Sequence, residues 1–495
     1  MHVASERDPA RSTWSAMAAM PRASWIAVLI FLSGCGGGND VTAPVSSTPA
    51  TVSIHEPNST PLPTVVSIDR GATGNPVSVR VVRSANGDGF AVWLAHDGTR
   101  HNLWANRHRG AAWGNAVSIE TRDADIDHFD VAVDASGNAT VVWNEPTGGS
   151  GDVVSVRFDT AAGTWNAPVV LSHWQGSPRP RVTSDATGAV LAVWGQSAVG
   201  RFFDPVRGAW QPLAVIEQST FGTGSSDGPV PLLDGSGNAL VVYRNERQSS
   251  SLLASNYYSR SIGSWGKLPP DAVEEILGEI PNSAALFSDS IQLALAGGGD
   301  FLAAWQGTND FLPDPHAEIR VARFTSRTRT WSTAERVERG SELKQNFQLQ
   351  RMASDAAGRT HLLWTESDGV RSVLKAIRVD GTACNSPEVI DRAVGGGAAS
   401  ADLAVDAGGN ALAIWQQFEG GLPNDGSRSN IAVSRFDSTM QLWTKAVFAE
   451  TQAGNATSPS ASASGGQALL AWIQSEAGVN RVKAVLQPLA NPPSP

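Results

Sequence analysis

Short apolar runs recur along the chain between Gly-, Asp- and Asn-rich punctuation, and no segment sustains the 3.6-residue apolar spacing of an amphipathic helix. The clearest copies are Asp134-Ala-Ser-Gly-Asn-Ala-Thr-Val-Val-Trp143, Asp185-Ala-Thr-Gly-Ala-Val-Leu-Ala-Val-Trp194 and Asp234-Gly-Ser-Gly-Asn-Ala-Leu-Val-Val-Tyr243. Two more run from Asp355 to Trp364 and from Asp406 to Trp415, and degenerate copies end at Trp93, Trp305 and Trp472. A tight polar turn followed by an apolar run that closes on an aromatic predicts a hairpin and its buried return strand. The aromatics are separated by 50, 51, 49, 62, 59, 51 and 57 residues. Units of this length match one four-stranded propeller blade each, not a pair of solenoid helices.

The second unit reads in full: a strand over 129–134, a turn, strands over 138–144 and 153–158, and a fourth over 165–171. The repeated Asp is placed to accept hydrogen bonds from the backbone of its own turn, and the Gly three residues on supplies the positive φ that closes it. Calcium ligation, the functional alternative for such an Asp, needs several oxygens from one loop, and each turn offers a single carboxylate. A second aromatic recurs in the fourth strand, at Trp113, Trp165, Trp210, Trp265, Trp331 and Trp443; in the sixth unit Cys384 occupies that slot. Both Trp series are expected to fill the space between neighbouring blades. The eighth unit ends after its third strand, whereas residues 63–69 resemble a fourth strand and precede the first unit. The chain is therefore expected to be all-β: an eight-bladed β-propeller of four-stranded antiparallel blades, closed by an N-terminal strand that completes the last blade. Seven blades with one unit expelled is the alternative.

Composition supports a globular body: 41% of the 495 residues are apolar, 17% are charged, and Gly and Pro number 49 and 28. The formal net charge is −10 and no Lys/Arg-rich run occurs, which excludes nucleic acid as a partner. Ahead of the repeats, residues 25–32 (WIAVLIFL) form an apolar run too short to span a bilayer, and Leu32-Ser33-Gly34-Cys35 follows. That tetrad resembles the lipobox of bacterial lipoproteins. The resemblance implies a signal peptide over 1–34 with Met1, Met17 or Met20 as its start, and lipidation (diacyl and palmitate chains) of Cys35. It implies anchoring in the bacterial cell envelope, with Gly36 compatible with the outer membrane on its periplasmic or outer side. Residues 35–62 read as a disordered Gly/Ser/Thr/Pro tether, 63–487 as the propeller and 488–495 as a disordered tail.

The third-to-fourth turns Asp159-Thr-Ala-Ala-Gly163-Thr164-Trp165 and Asp204-Pro-Val-Arg-Gly208-Ala209-Trp210 resemble a degenerate Asp-box, the repeat of sialidase-like bacterial propellers. The resemblance covers 63–487. Its Asp-to-Gly spacing is two residues longer than the family's, no arginine triad motif matches, and Tyr243, Tyr257 and Tyr258 all fall in one unit. It therefore implies the fold without the enzyme.

Function is expected on the face where the second-to-third loops and inter-blade connections vary. The ligand-binding candidates there are Asp127, His128, Glu145, His173, Trp174, Asp314, His316, Glu366 and Arg371. His128 follows an acidic connection and reads either as a solvated surface histidine or as a base poised by carboxylates. Trp174 falls outside both Trp series and reads either as a sugar platform or as packing under its own loop. The loops Phe311-Leu-Pro-Asp314 and Gly421-Leu-Pro-Asn-Asp425 read as cleft walls or as two ordered loops, and residues 271–277 as a short helix. No catalytic residue, metal site or cofactor is assigned, since His128, His173 and His316 lie in three different units without metal-ligand spacing. The expected function is non-catalytic recognition of a glycan or envelope protein; the alternative is a carbohydrate-active hydrolase or lyase working from the same face.

The anchor is testable directly. Metabolic labelling with a palmitate analogue should mark the wild-type chain and send it to the membrane fraction, and Cys35→Ser should abolish both; equal labelling of the variant would refute the assignment.

Overall fold

The structure, a computed structural model, describes residues 63–490 apart from 121–123, 148–149, 176–177, 196, 218–224, 248–249, 267–274, 281–289, 310–315, 340–345, 382, 393, 424 and 451. Every element in the described residues is a strand or turn, gathered into eight antiparallel sheets arranged as an eight-bladed β-propeller.

Blade 2 shows why the sequence folds this way. Its strands are Phe129–Val133, Ala139–Thr147 and Ser150–Asp159, followed by a fourth edge broken into Thr164–Trp165 and Val169–Gln175. In the first turn Asp134 Oδ1 accepts from the amides of Ser136 (2.9 Å) and Asn138 (3.0 Å), while Gly137 sits at φ 88°. Asp185, Asp234, Asp355 and Asp406 accept in the same pattern. The repeated Asp is thus a turn device, as its spacing predicts. Asn138 Oδ1 then accepts from Thr160 N (2.9 Å), tying the first turn of the blade to its third. The fourth strand is broken at 166–168, as it is at the equivalent place in blades 1, 5 and 7, which have no proline there.

Ring closure follows the expected route. Val66–Ser67 pairs antiparallel with the last strand, Val479–Pro488, through Val66 opposite Ala484 and Ser67 opposite Lys483. Ile68 N donates to Val482 O (2.9 Å) and its side chain is buried. Leu489, two residues beyond the expected domain end, is buried beside this sheet and donates its amide to Gly466 O.

The core lies between blades. Trp93, Trp143, Trp194, Trp305, Trp364, Trp415 and Trp472, with Tyr243, are 0–2% exposed. Each indole packs into the facing sheet: Trp143 meets Val92, Leu94 and Leu103 of blade 1, and Trp93 meets Leu469, Ala471 and Val482 of blade 8. The fourth-strand series, Trp113, Trp165, Trp210, Trp265, Trp331 and Trp443, is half-buried and reaches the neighbouring blade as expected: Trp165 lies against Phe90 (5.8 Å), Trp265 against Phe202 (5.8 Å) and Trp443 against His361 (5.7 Å), and Trp331 Nε1 donates to Ser255 Oγ (2.9 Å). Each also lies against an aromatic of its own third strand, as Phe158–Trp165 (5.4 Å) and Phe436–Trp443 (5.6 Å) do. Cys384 takes this slot by register, opposite Val379 as Trp165 is opposite Phe158. The helix expected over 271–277 is corrected: Glu275–Ile280 is a strand paired with Ser250–Ser259, while 271–274 lie outside the described residues. An unfilled sheet edge offers those backbone groups partners and outweighs local helix propensity.

His361 marks the seam between blades 6 and 7. It is 1% exposed, lies edge-on against Phe436 of the next blade (4.5 Å), and burial together with the Arg378 charge pushes its pKa down from 6.5 to about 4. The folded value lies below the unfolded one, so its contribution is complete above pH 6.5 and is lost as pH falls toward 4. Chemical denaturation at pH 7 and pH 5 should show wild type losing more stability than His361→Phe, by about 2 kcal/mol; identical losses would contradict the assignment.

Candidate functional site: a basic cavity on the propeller axis

The first strand of each blade is innermost and has no ladder partner on its axial side. In every blade one of its residues stands opposite the position just before the buried aromatic: Arg80, Asp130, Arg181, Val230, Gln292, Arg351, Asp402 and Ser460. Seven of these eight are polar, and six of them line a cavity of about 470 Å³ together with Asp127 and His128.

Inter-blade bonds hold this wall. Asp130 accepts from Val182 N (3.0 Å) and faces Arg80 (3.7 Å). Asp402 accepts from Ala461 N (2.9 Å) and pairs with Arg351 (3.0 Å); Ser460 Oγ accepts from Val81 N (3.1 Å). Side chains thus replace the missing ladder, and carboxylates among them hold Arg80 and Arg351. Ser400 and Ser458, at φ 51°, occupy equivalent register shifts in blades 7 and 8 and also line the cavity. Left-handed backbone at a non-glycine residue costs about 1–3 kcal/mol and persists where surrounding bonds over-determine it.

His128 reports the field inside. Burial first, then Arg181 and Arg80, push its pKa down from 6.5 to about 4, against the opposing pull of Asp130. At neutral pH the imidazole is uncharged, and its Nε2 is buried without a hydrogen-bond partner. The carboxylates of Asp130 and Asp402 are engaged by backbone amides and arginine, whereas Asp127 is exposed at the rim. The arrangement can neutralise an anion and accept one hydrogen bond or proton at His128 Nε2.

Of the nine candidates read from the sequence, Asp127 and His128 meet in this cavity. Glu145 is 1% exposed and accepts from Trp143 Nε1 (2.9 Å). His173 has an 82% exposed side chain bonded to Asp152 (2.7 Å). Trp174 is half-buried over Gly195, where a Cβ would meet its ring at 2.4 Å, the packing alternative of its two readings. Glu366 is bonded to Lys375 (2.5 Å). Arg371 donates to buried Asp391 (3.0 Å) and to Gly396 O (2.7 Å). His316 opens a strand, His316–Thr325, with its side chain outside the described residues, as is all of Asp314. The 421–425 loop is ordered by Asp425, which accepts from Ser427 N (2.8 Å); its counterpart at 311–314 lies outside the described residues.

Sequence reasoning missed Arg80, Arg181, Arg351, Gln292 and Asp402. Their signal was available: the axial residue stands 13 positions before the aromatic in seven units and 12 in the eighth, as a polar residue inside an apolar strand.

Arg371 is assigned a structural role by its partners. Arg371→Ala should lower the thermal midpoint, with a loss of about 1–3 kcal/mol from leaving buried Asp391 without its guanidinium donor; an unchanged midpoint would return Arg371 to the site.

No family model matches the chain, and no curated protein matches it. Among solved structures it is similar to the polysaccharide lyase Uly1, at 10% identity and TM-score 0.48 over 86% of this chain and 100% of that one. It is also similar to an alpha-L-arabinanase of Penicillium chrysogenum complexed with arabinobiose (12%, TM-score 0.41, 77% and 100%). A third is the NanB sialidase of Streptococcus pneumoniae (11%, TM-score 0.39, 73% and 68%). Likeness at this level leaves activity and substrate to the residues of this chain.

Proposed function

We propose that the protein is a carbohydrate-binding propeller of the bacterial envelope, held by a lipid on Cys35, whose axial cavity takes an anionic saccharide. One observation carries this reading: three guanidiniums, Arg80, Arg181 and Arg351, line one cavity with two carboxylates, Asp127 and Asp402, in a chain whose net charge is −10. Guanidinium recognises carboxylate and sulfate by paired donors, and its charge is worth more in a recess than on an open surface. The Ser and Gln side chains of the wall suit hydroxyl groups, Leu94 and Phe129 add apolar surface, and the volume lies in the ordinary range for ligand pockets.

A second reading, that the protein also cleaves its ligand, is favoured by His128. A neutral imidazole with an unpartnered nitrogen beside guanidiniums is arranged to take a proton from carbon next to a carboxylate whose charge those guanidiniums neutralise. Two-carboxylate hydrolysis has less support, because Asp130 and Asp402 are already engaged.

The test presents the full chain to polygalacturonate, dextran sulfate and uncharged dextran. Retention on the charged polymers, weakened by salt and reduced about tenfold (~1.4 kcal/mol) by Arg181→Ala or Arg351→Ala, is expected. Equal retention on dextran, or indifference to both substitutions, would overturn the proposal. Ultraviolet absorbance of unsaturated uronate, lost in His128→Ala, would establish the cleaving role; intact polymer would leave binding alone.

A further inference from the structure

A second cavity, of about 380 Å³, lies in blade 7 and shares no lining residue with the axial one. Its rim is the ion pair of Arg428 and Glu419 (2.7 Å), its walls include Phe418, Phe448 and the backbone of Gly395–Gly396, and its floor holds Asn430 and Glu450.

The walls are held in place before any ligand arrives. Gly397 N donates to Gly420 O (2.7 Å) and Ser372 N to Gly421 O (2.9 Å), strapping the blade-7 loop to its own first strand and to the third strand of blade 6. At Gly396 a Cβ would stand 1.8 Å from Phe418 O, so no other residue permits this close passage. Gln417 uses both ends of its amide, accepting from Trp415 Nε1 (2.6 Å) and donating to Gly395 O (2.5 Å).

The floor has unfilled acceptors. Asn430 is 6% exposed, and its Oδ1 is buried without a hydrogen-bond partner, a situation that costs about 1–3 kcal/mol unless something donates to it. Glu450 accepts one backbone amide on each oxygen, from Ile431 N (3.2 Å) and Gln452 N (2.7 Å), leaving further lone pairs; burial raises its pKa, which favours its uncharged form. A ligand that fits must bring donors. It must also be without full charge: the Arg428–Glu419 pair at the rim cancels its own charge, and burial pushes Glu450 toward its uncharged form. Phe448 adds an apolar face. A pyranose ring has this combination, hydroxyl donors on its edge and C–H groups on its face.

We propose that this cavity is a second saccharide site, taking a neutral pyranose ring whose hydroxyls donate to Asn430 Oδ1 and Glu450. It is independent of the axial reading, because a different set of residues and a preference for a neutral ligand define it.

Saturation-transfer NMR on the full chain, with methyl glucoside, galactoside and mannoside as neutral probes and methyl glucuronide and methylammonium as charged ones, tests it. At least one neutral pyranoside should bind at millimolar concentration. Asn430→Leu should weaken that binding about tenfold or more, and Arg181→Ala should leave it unchanged. Should Asn430→Leu fail to fold, Phe448→Leu, at a half-buried position, should give the same loss. Absence of binding by all three neutral probes, loss through Arg181→Ala instead, or binding of methylammonium alone would overturn the proposal.

Discussion

The contact on which the rest depends is a large aromatic side chain wedged between two sheets. One four-stranded blade cannot cover both of its faces, so each must borrow a neighbour, and the second-strand indole fills the gap where they meet. Truncating a buried Trp of this kind costs about 3–5 kcal/mol, a large share of the stability of any domain. Wedge follows wedge until the last blade meets the first. There Trp93 packs on blade 8 just as Trp143 packs on blade 1, while Val66–Ser67 covers the edge that would otherwise be left open.

Once the wedges fix the blades, the innermost strands have no choice of what they present to the axis. The residue opposite the position before each aromatic points where no further sheet exists, so its polarity is free to vary, and in seven blades it is polar. Some of those side chains serve the ring by bonding to the next blade's backbone, as Asp130 and Asp402 do. Those same bonds hold Arg80 and Arg351 at the wall. The cavity is therefore a by-product of repetition, and its basic character comes from the arginines occupying the repeated slot.

The repeats, blade count, closing strand and turn role of Asp134 were legible because each rests on local pattern: turn chemistry, apolar runs and a fixed period. The helix expected at 271–277 failed because an open sheet edge decided the segment's conformation. The fourth-strand tryptophans were assigned to the space between blades and reach it from the outer strand, half-buried there, as Trp165 on Phe90 and Trp443 on His361 show. Glu145 and Arg371 looked like site residues because they are charged and near loops; their partners, Trp143 Nε1 and Asp391, lie in contacts that only the fold reveals. The axial arginines went unread for the opposite reason: they sit inside strands, where charge is easily passed over.

The proposed site requires that the arginines on the axis receive an anion. NMR titration of the His128 ring, with and without an oligogalacturonate, tests this, since burial sets most of the free value and a bound anion acts through the charges. The account predicts a free-protein pKa near 4, raised when the anion binds and offsets the charges of Arg80 and Arg181. A His128 that titrates at its ordinary value of 6.5, or one whose titration the anion leaves unmoved, would contradict it.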